Sequence, residues 1–329
     1  MKSNTKSHII SYIAKNGPIG PTRLAENLGI SPQMVHRHLK KLVQKGNLKK
    51  IGLPPKVLYR LADETPLIVF EFLPEQLVSY VNQHYLTVKP NGEILEGTEG
   101  IQWWARRTKQ HKNYRRLVQE YVDQHRQTNA KFGNSSDLIE ATFKIEDTFT
   151  TCFLDMLYYQ EFCSLPKFGK TKTGQMIFLG KSGQDKDTII KLAELCRNSI
   201  ITILKQHRIQ AIIFTPHSIP RKIPFLKEFE KSLSMAVPTI QLLKVFSGKT
   251  PIAQKSLKKL SDRIENAEST LFLKEQVLVY KRILVIDDAV GSGATLNVIA
   301  KKLKTKGAKF VCGFAVTGSL KGFEVLNEI

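Results

Sequence analysis

The sequence predicts an α/β protein built from a small, strongly basic helical domain, a mostly helical middle and a C-terminal, mostly parallel sheet with flanking helices. Three observations predict it. The first 62 residues read as three short helices punctuated by Gly and Pro, followed by a two-strand hairpin. From about residue 185 helical and strand-like runs alternate, as they do where helices cover a parallel sheet. Between these parts no repeat or low-complexity tract interrupts the chain. A length of 329 residues suffices for two or three cores. The expected organisation is therefore 1–62, a connector or dimerisation region at 63–184, and a sheet domain at 185–329.

Composition narrows the partners. The chain is 42% hydrophobic and 24% charged, as in ordinary globular protein, yet its formal charge is +21. Such an excess calls for a polyanion, with nucleic acid the first candidate and an anionic membrane surface the second. It is steepest at the start, where residues 1–62 set twelve Lys/Arg against Glu26 alone. Cys152, Cys163, Cys196 and Cys312 show no C-x-x-C spacing and read as reduced, mostly buried thiols. No charged-then-apolar leader opens the chain, and apolar runs such as "PLIVFEFL" are too short to span a bilayer. A soluble, cytoplasmic protein without a membrane partner is expected.

The first helix places Ile9, Ile10, Ile13 and Ala14 on one stripe and stops at Asn16-Gly17. Pro21 starts a short second helix that Gly29 ends. In "SPQMVHRHLKKLVQKG", Ser31 is the N-cap, Pro32 takes the first helical position and Gly46 terminates. Val35, Leu39, Leu42 and Val43 share its apolar face, with "LKKIG" and "KVLYRLA" as strands about "GLPP". This order resembles a winged helix-turn-helix. Its third helix suits the major groove of double-stranded DNA. Gln33, His36, Arg37 and Lys40 are candidates for base edges, and Lys41, Lys45, Lys49, Lys50 and Lys56 for phosphates. The alternative is a protein-binding winged helix whose basic face is merely solvated.

The middle is less informative. "YLTVKPNGEILEG" reads as a hairpin about Asn91-Gly92, and "GIQWWARRTKQHKNYRRLVQEYVDQHRQ" as one long basic helix. Its aromatics, interleaved with Arg106, Arg107, Lys109, Lys112, Arg115 and Arg116, either form a second nucleic-acid surface or pack inward. "NAKFGNSSD" reads as a loop.

In the last third, "IQAIIFTPHS", "TIQLLKVF", "KRILVIDDAV" and "KFVCGFAVTGS" read as strands between helices such as "ATLNVIAKKLKTKG". Ligands on such sheets sit beyond the carboxyl ends of strands, where Thr215-Pro216 and Asp287-Asp288 fall. The acids precede Gly291-Ser292-Gly293-Ala294-Thr295. No Lys-Ser or Lys-Thr follows the glycines, which excludes a Walker A loop, and a dinucleotide fingerprint would need a third glycine. Some forty following residues are too few for a response-regulator receiver. A ligand with both a sugar and a phosphate fits. Amides from Gly291 to Thr295, with the Ser292 and Thr295 hydroxyls, would hold a 5′-phosphate at the helix start. Asp287 and Asp288 would accept hydrogen bonds from ribose hydroxyls, with Mg²⁺ easing their closeness to phosphate.

"ILVIDDAVGSGATL" resembles the signature of the type I phosphoribosyltransferases. Ahead of it, "QKSLKKLSDRIENAESTLF" is similar to the competence protein F (ComF) family, with Gln254, Arg263, Asn266 and Phe272 in its Gln, Arg, Asn and aromatic places. The resemblance spans roughly residues 190–319. It implies 5-phosphoribosyl-1-diphosphate with Mg²⁺ as ligand. It also implies a diphosphate loop at "FTPHSIPRK", making Thr215, Pro216, His217, Ser218 and Arg221 candidates. Arg263 either reaches the diphosphate or pairs with an acid on its own helix. Gly291-Ser292 stands where many members have two threonines, and the cysteine-rich zinc ribbon common at the start of competence-type members is replaced by a winged helix.

Three functions follow as expectations. The first is a homodimeric transcription regulator sensing phosphoribosyl diphosphate or a nucleotide, a pairing of modules also found in a bacterial purine repressor family. The second is a Mg²⁺-dependent phosphoribosyltransferase, with Asp287 and Asp288 as its catalytic residues. The third is a ComF-like factor that handles single-stranded DNA.

Overall fold

The computed structural model describes residues 5–62, 70–132, 138–219, 221–248, 251–274 and 279–320, the side chains of 131, 132 and 255 apart. The chain divides into two compact units, Met1–Val69 and Phe70–Ile329.

In the first unit, helices α1 (Thr5–Asn16), α2 (Pro21–Leu28) and α3 (Pro32–Gln44) precede strands β1 (Leu48–Ile51) and β2 (Leu58–Leu61). The punctuation acts as the sequence implies. Gly29 closes α2 in the left-handed region at φ 63°, and the Ser31 hydroxyl accepts from the Met34 amide at 3.3 Å to start α3. β1 and β2 pair antiparallel, and Ile19 adds a bridge to Tyr59. Ile9, Ile13, Leu24, Val35, Leu39, Leu42 and Leu48 form a core of their own. The result is a winged helix-turn-helix.

The second unit starts with α4 (Glu75–His84), β3 (Leu86–Val88), β4 (Ile94–Glu96), α5 (Gly97–Arg107) and α6 (Tyr114–Phe132). The hairpin β3–β4 is the one expected about Asn91-Gly92. The single long helix is not formed: α5 and α6 are separate, joined by a 3₁₀ turn at His111–Asn113. The break follows from the backbone, because Lys109 takes φ 59° and the Thr108 hydroxyl turns back to the Trp104 carbonyl at 2.9 Å. α6 runs on to Phe132, so the stretch from Asn129 to Phe132 read as loop is helical, and the rest of it, 133–137, lies outside the described residues. Leu77, Val81, Ile101, Tyr114, Val118 and Tyr121 form the core of this helical part.

Next come β5 (Ile139–Glu140), α7 (Phe143–Glu146), β6 (Met156–Phe162), β7 (Ser164–Leu165), β8 (Gly169–Lys170), α8 (Lys172–Ser182) and α9 (Lys186–Gln206). They lead to β9 (Ala211–Phe214), α10 (Phe225–Leu233), β10 (Leu242–Lys244), α11 (Leu260–Thr270), β11 (Leu271–Leu273), β12 (Arg282–Val290), α12 (Ala294–Thr305) and β13 (Phe310–Gly318). The main sheet has the order β5-β6-β13-β12-β9. Its four longer strands are parallel, and β5 is antiparallel at the edge. Ile283, Val285 and Ala315 point to one core with Leu296 and Ile299 of α12. Leu284, Ile286 and Phe314 point to another with Ile189 and Ile200 of α9 and Phe229 of α10. Burial on both faces accounts for the near-continuous apolar run of β12.

Two expectations change. The boundary at 184/185 cuts through this body, because β5, β6 and α8 come from the stretch read as a connector. Tyr158, Tyr159, Gln160 and Glu161 disguise β6 in the sequence, although Leu157, Tyr158 and Tyr159 are buried. "TIQLLKVF" does not join the main sheet beyond a bridge from Thr239 to Ile212. Its β10 pairs antiparallel with β11 instead.

Candidate functional site

Taking the winged helix first, α3 turns its apolar side inward, with Val35 and Leu39 at 0% exposure. At 100° per residue, Gln33, His36, Arg37 and Lys40 fall within about 100° of arc on the opposite side. All four are exposed, as are Lys41, Lys45, Lys50 and Lys56, while Lys49 is partly buried. The four expected base-reading residues thus form one polar strip, flanked by lysines at its edge and in the wing. His38 was not foreseen. Burial, then Arg37, Lys6 and Lys41, hold its imidazole below the usual pKa and so neutral at pH 7.

The second candidate lies at the carboxyl ends of β9 and β12. The Thr215 amide continues the β9–β12 ladder by donating to the Ile286 carbonyl at 3.0 Å. Its hydroxyl donates to Asp287 Oδ1 at 2.7 Å, and the Asp288 amide donates to the same oxygen at 2.9 Å. Burial, then the Asp288 charge, push Asp287 up to about 7, against the pull of Thr215 and Lys181. Asp288 keeps its charge partner, Lys181 Nζ, at 2.9 Å. Arg221 donates to the Lys181 carbonyl, so the loop after β9 and the end of α8 close on one another here.

Lys244 Nζ donates to Ser218 Oγ at 3.1 Å. Burial lowers its pKa, and Asp287 counters that shift. The carboxylate pair therefore has a lysine from α8 and a lysine from β10 beside it. Neither lysine was foreseen, since each arrives through tertiary structure rather than motif spacing. The one available signal was Lys244, a lone charge inside the apolar run "IQLLKVF". His217 is exposed, its pKa lowered by desolvation first and then by Lys227 and Arg221. Pro216 is half-buried beside it.

The β12–α12 turn is built as a glycine loop. Gly293 sits at φ 80°, and a Cβ there would lie 2.4 Å from Ile145 Cδ1. Ser292 is 4% exposed, and its hydroxyl accepts from the Ala294 amide at 3.3 Å. That hydroxyl and that amide are thus used inside the turn, unlike the expected cradle. Gly291 and Thr295 remain partly exposed, and the first amides of α12 have no partner in their own helix. Gln254 Nε2 bridges Thr295 Oγ1 at 3.1 Å and the Arg263 carbonyl at 3.0 Å. Arg263 commits its Nε to the Leu257 carbonyl at 2.7 Å, and burial lowers its pKa. The Gln254–Arg263 stretch therefore supports the turn from outside.

Two cavities, of about 430 and 300 Å³, lie between α11 and α12 and beside Phe149–Phe153. Neither is lined by the two aspartates. Among the described residues no three His, Cys, Asp or Glu side chains are placed to hold a metal ion. Mg²⁺ would fit here only as an ion completed by ligand oxygens and water around one or both aspartates.

Residues 2–47 match the winged helix-turn-helix DNA-binding family. The chain therefore carries a winged-helix DNA-binding domain, joined to a mixed α/β body with a five-stranded, mostly parallel sheet. No curated protein matches the chain. Among solved structures, a purine phosphoribosyltransferase from Pyrococcus horikoshii is 16% identical, with 42% of this chain and 93% of that chain covered and a TM-score of 0.26. No described helix is long and apolar enough to cross a membrane.

Proposed function

We propose that this protein is a DNA-binding regulator whose sheet domain takes a sugar phosphate of the phosphoribosyl diphosphate or nucleotide class as its effector. The convergence of Thr215, Asp287 and Asp288 with Lys181 and Lys244, one turn before the start of α12, supports the reading most. The aspartates accept from ribose hydroxyls, and the partial protonation of Asp287 near neutral pH limits their mutual repulsion. Lys181 and Lys244 attract the anionic part of the ligand, and the remaining amides at the start of α12 receive a phosphate. Mg²⁺, when bound with a diphosphate, neutralises its charge beside the aspartates.

Lys181 already occupies Asp288, so ligand entry exchanges one contact of α8 for another. That exchange gives a sensor a way to transmit occupancy, provided that the two arrangements of a homodimer bind the ligand with different affinity. A thermal-shift series with phosphoribosyl diphosphate, ribose 5-phosphate and AMP, each with and without Mg²⁺, tests the reading. At one hundred times Kd, stabilisation of about 2.7 kcal/mol is expected. No shift with any of the three would overturn the ligand class.

A further inference from the structure

One basic surface is not used by either site. Arg106 and Arg107 end α5, Lys109 and Lys112 lie in the connection, and Arg115 and Arg116 open α6. All six are exposed. From residue 100 to residue 119 the sequence has no Asp or Glu. Among the described residues, Glu71 reaches this corner, its carboxylate accepting from the Arg115 amide at 2.9 Å.

The aromatics of this stretch divide. Trp104 packs on Phe168 with centroids 5.4 Å apart, and Tyr114 is 1% exposed, so these belong to the core. Arg106 instead lies 4.8 Å over the Phe70 ring and Arg107 5.4 Å over Trp103. Stacking fixes the guanidinium planes and leaves their N–H edges free for oxygen acceptors. Two arginines sit in the first turn of α6, at the positive end of its dipole, with no acid in that turn. A polyanion would add to the relief that the Glu71 carboxylate gives at the Arg115 amide.

We infer that the α5–α6 corner is a second DNA-contact surface, which grips the phosphate backbone of duplex DNA. Duplex DNA is the occupant because the same chain already carries a domain for it, and six exposed cations with no Asp or Glu from residue 100 to 119 complement a phosphate backbone. The contact is to phosphate and adds affinity without reading sequence. This inference rests on the winged helix and is independent of the effector.

The test compares the full chain with the variant Lys109→Gln/Lys112→Gln/Arg115→Gln/Arg116→Gln, which leaves both stacked arginines in place. A control removes four exposed cations elsewhere: Lys191→Gln/Lys205→Gln/Arg208→Gln/Lys309→Gln. Binding to a 40-base-pair duplex of arbitrary sequence is titrated across salt, and melting curves confirm folding. Each lost phosphate contact lowers the slope of log K against log salt by about 0.9, so the corner variant should lose about 3 to 4 and the control about 0. Affinity at low salt should fall at least about tenfold in the corner variant. Equal slopes for wild type and the corner variant would overturn the inference, as would an equal loss in the control. If the variant melts early, the single changes Lys109→Gln and Lys112→Gln carry the same test at about one unit of slope each. Corner-dependent flotation with phosphatidylserine vesicles, with the DNA slope unchanged, would replace DNA with an anionic membrane and also refute it.

Discussion

Asp287→Asn should stabilise the larger unit at alkaline pH while destroying its ligand site. In the folded protein burial and Asp288 push Asp287 up from 3.8 to about 7. The sign follows from proton counting. Between these two values the unfolded chain has released a proton that the folded chain keeps, so stability falls as pH rises through the window. The cost is fully present above pH 7 and absent below about 3.8. At 1.36 kcal/mol per pH unit the gap corresponds to about 4 kcal/mol as an upper figure. Asparagine keeps an oxygen for Thr215 and the Asp288 amide, now 2.7 and 2.9 Å from Asp287 Oδ1. Its new N–H₂ group needs a partner, which offsets part of the gain. A net gain of about 2 kcal/mol at pH 8 is expected, or about 4 to 8 °C in the melting temperature of this unit. Melting curves of wild type and variant from pH 5 to 8.5 measure it. The difference should shrink towards pH 5. A variant no more stable than wild type at pH 8, or stabilised equally at both ends, would refute the reasoning.

Three further outcomes follow. Leu39→Ala, at a fully buried position of α3, should cost about 2–5 kcal/mol and abolish DNA binding, while the melting transition of the larger unit stays in place. Arg37→Gln, on the exposed strip of α3, should weaken the preferred duplex by about 1–3 kcal/mol and relax sequence preference, whereas Lys41→Gln should weaken all duplexes alike and lower the salt slope by about 1. Gly293→Ala places a Cβ at φ 80° and 2.4 Å from Ile145; a loss of about 1–3 kcal/mol in thermal unfolding, with loss of the ligand-induced shift, is expected.

Legibility in the sequence varied with how local each cause is. The winged helix could be read in full because Ser31, Pro32 and Gly29 act on their own neighbours, and the strip of α3 follows from helical period alone. Strand β12 and the glycine turn were legible for the same reason, and they placed Asp287 and Asp288 at a strand end. Less legible was β6, since Tyr and Gln side chains at a buried strand look like a polar stretch until β13 and β5 flank it. Lys181 was invisible, because it reaches Asp288 from α8 across 107 residues, and Lys244 showed only as a lone charge in an apolar run, with nothing in its spacing to tie it to the aspartates. The orientation of Ser292 was also out of reach: its hydroxyl accepts from the Ala294 amide inside the turn, which motif spacing does not specify.

The most direct measurement is the affinity of the full chain for a duplex that it selects from a random pool, with and without saturating phosphoribosyl diphosphate and Mg²⁺. A change of at least about fivefold is expected, in the range of ordinary allosteric coupling, and it should vanish in Asp287→Asn. Equal affinities with and without the ligand, in a protein that the ligand demonstrably stabilises, would contradict the coupling of the two sites.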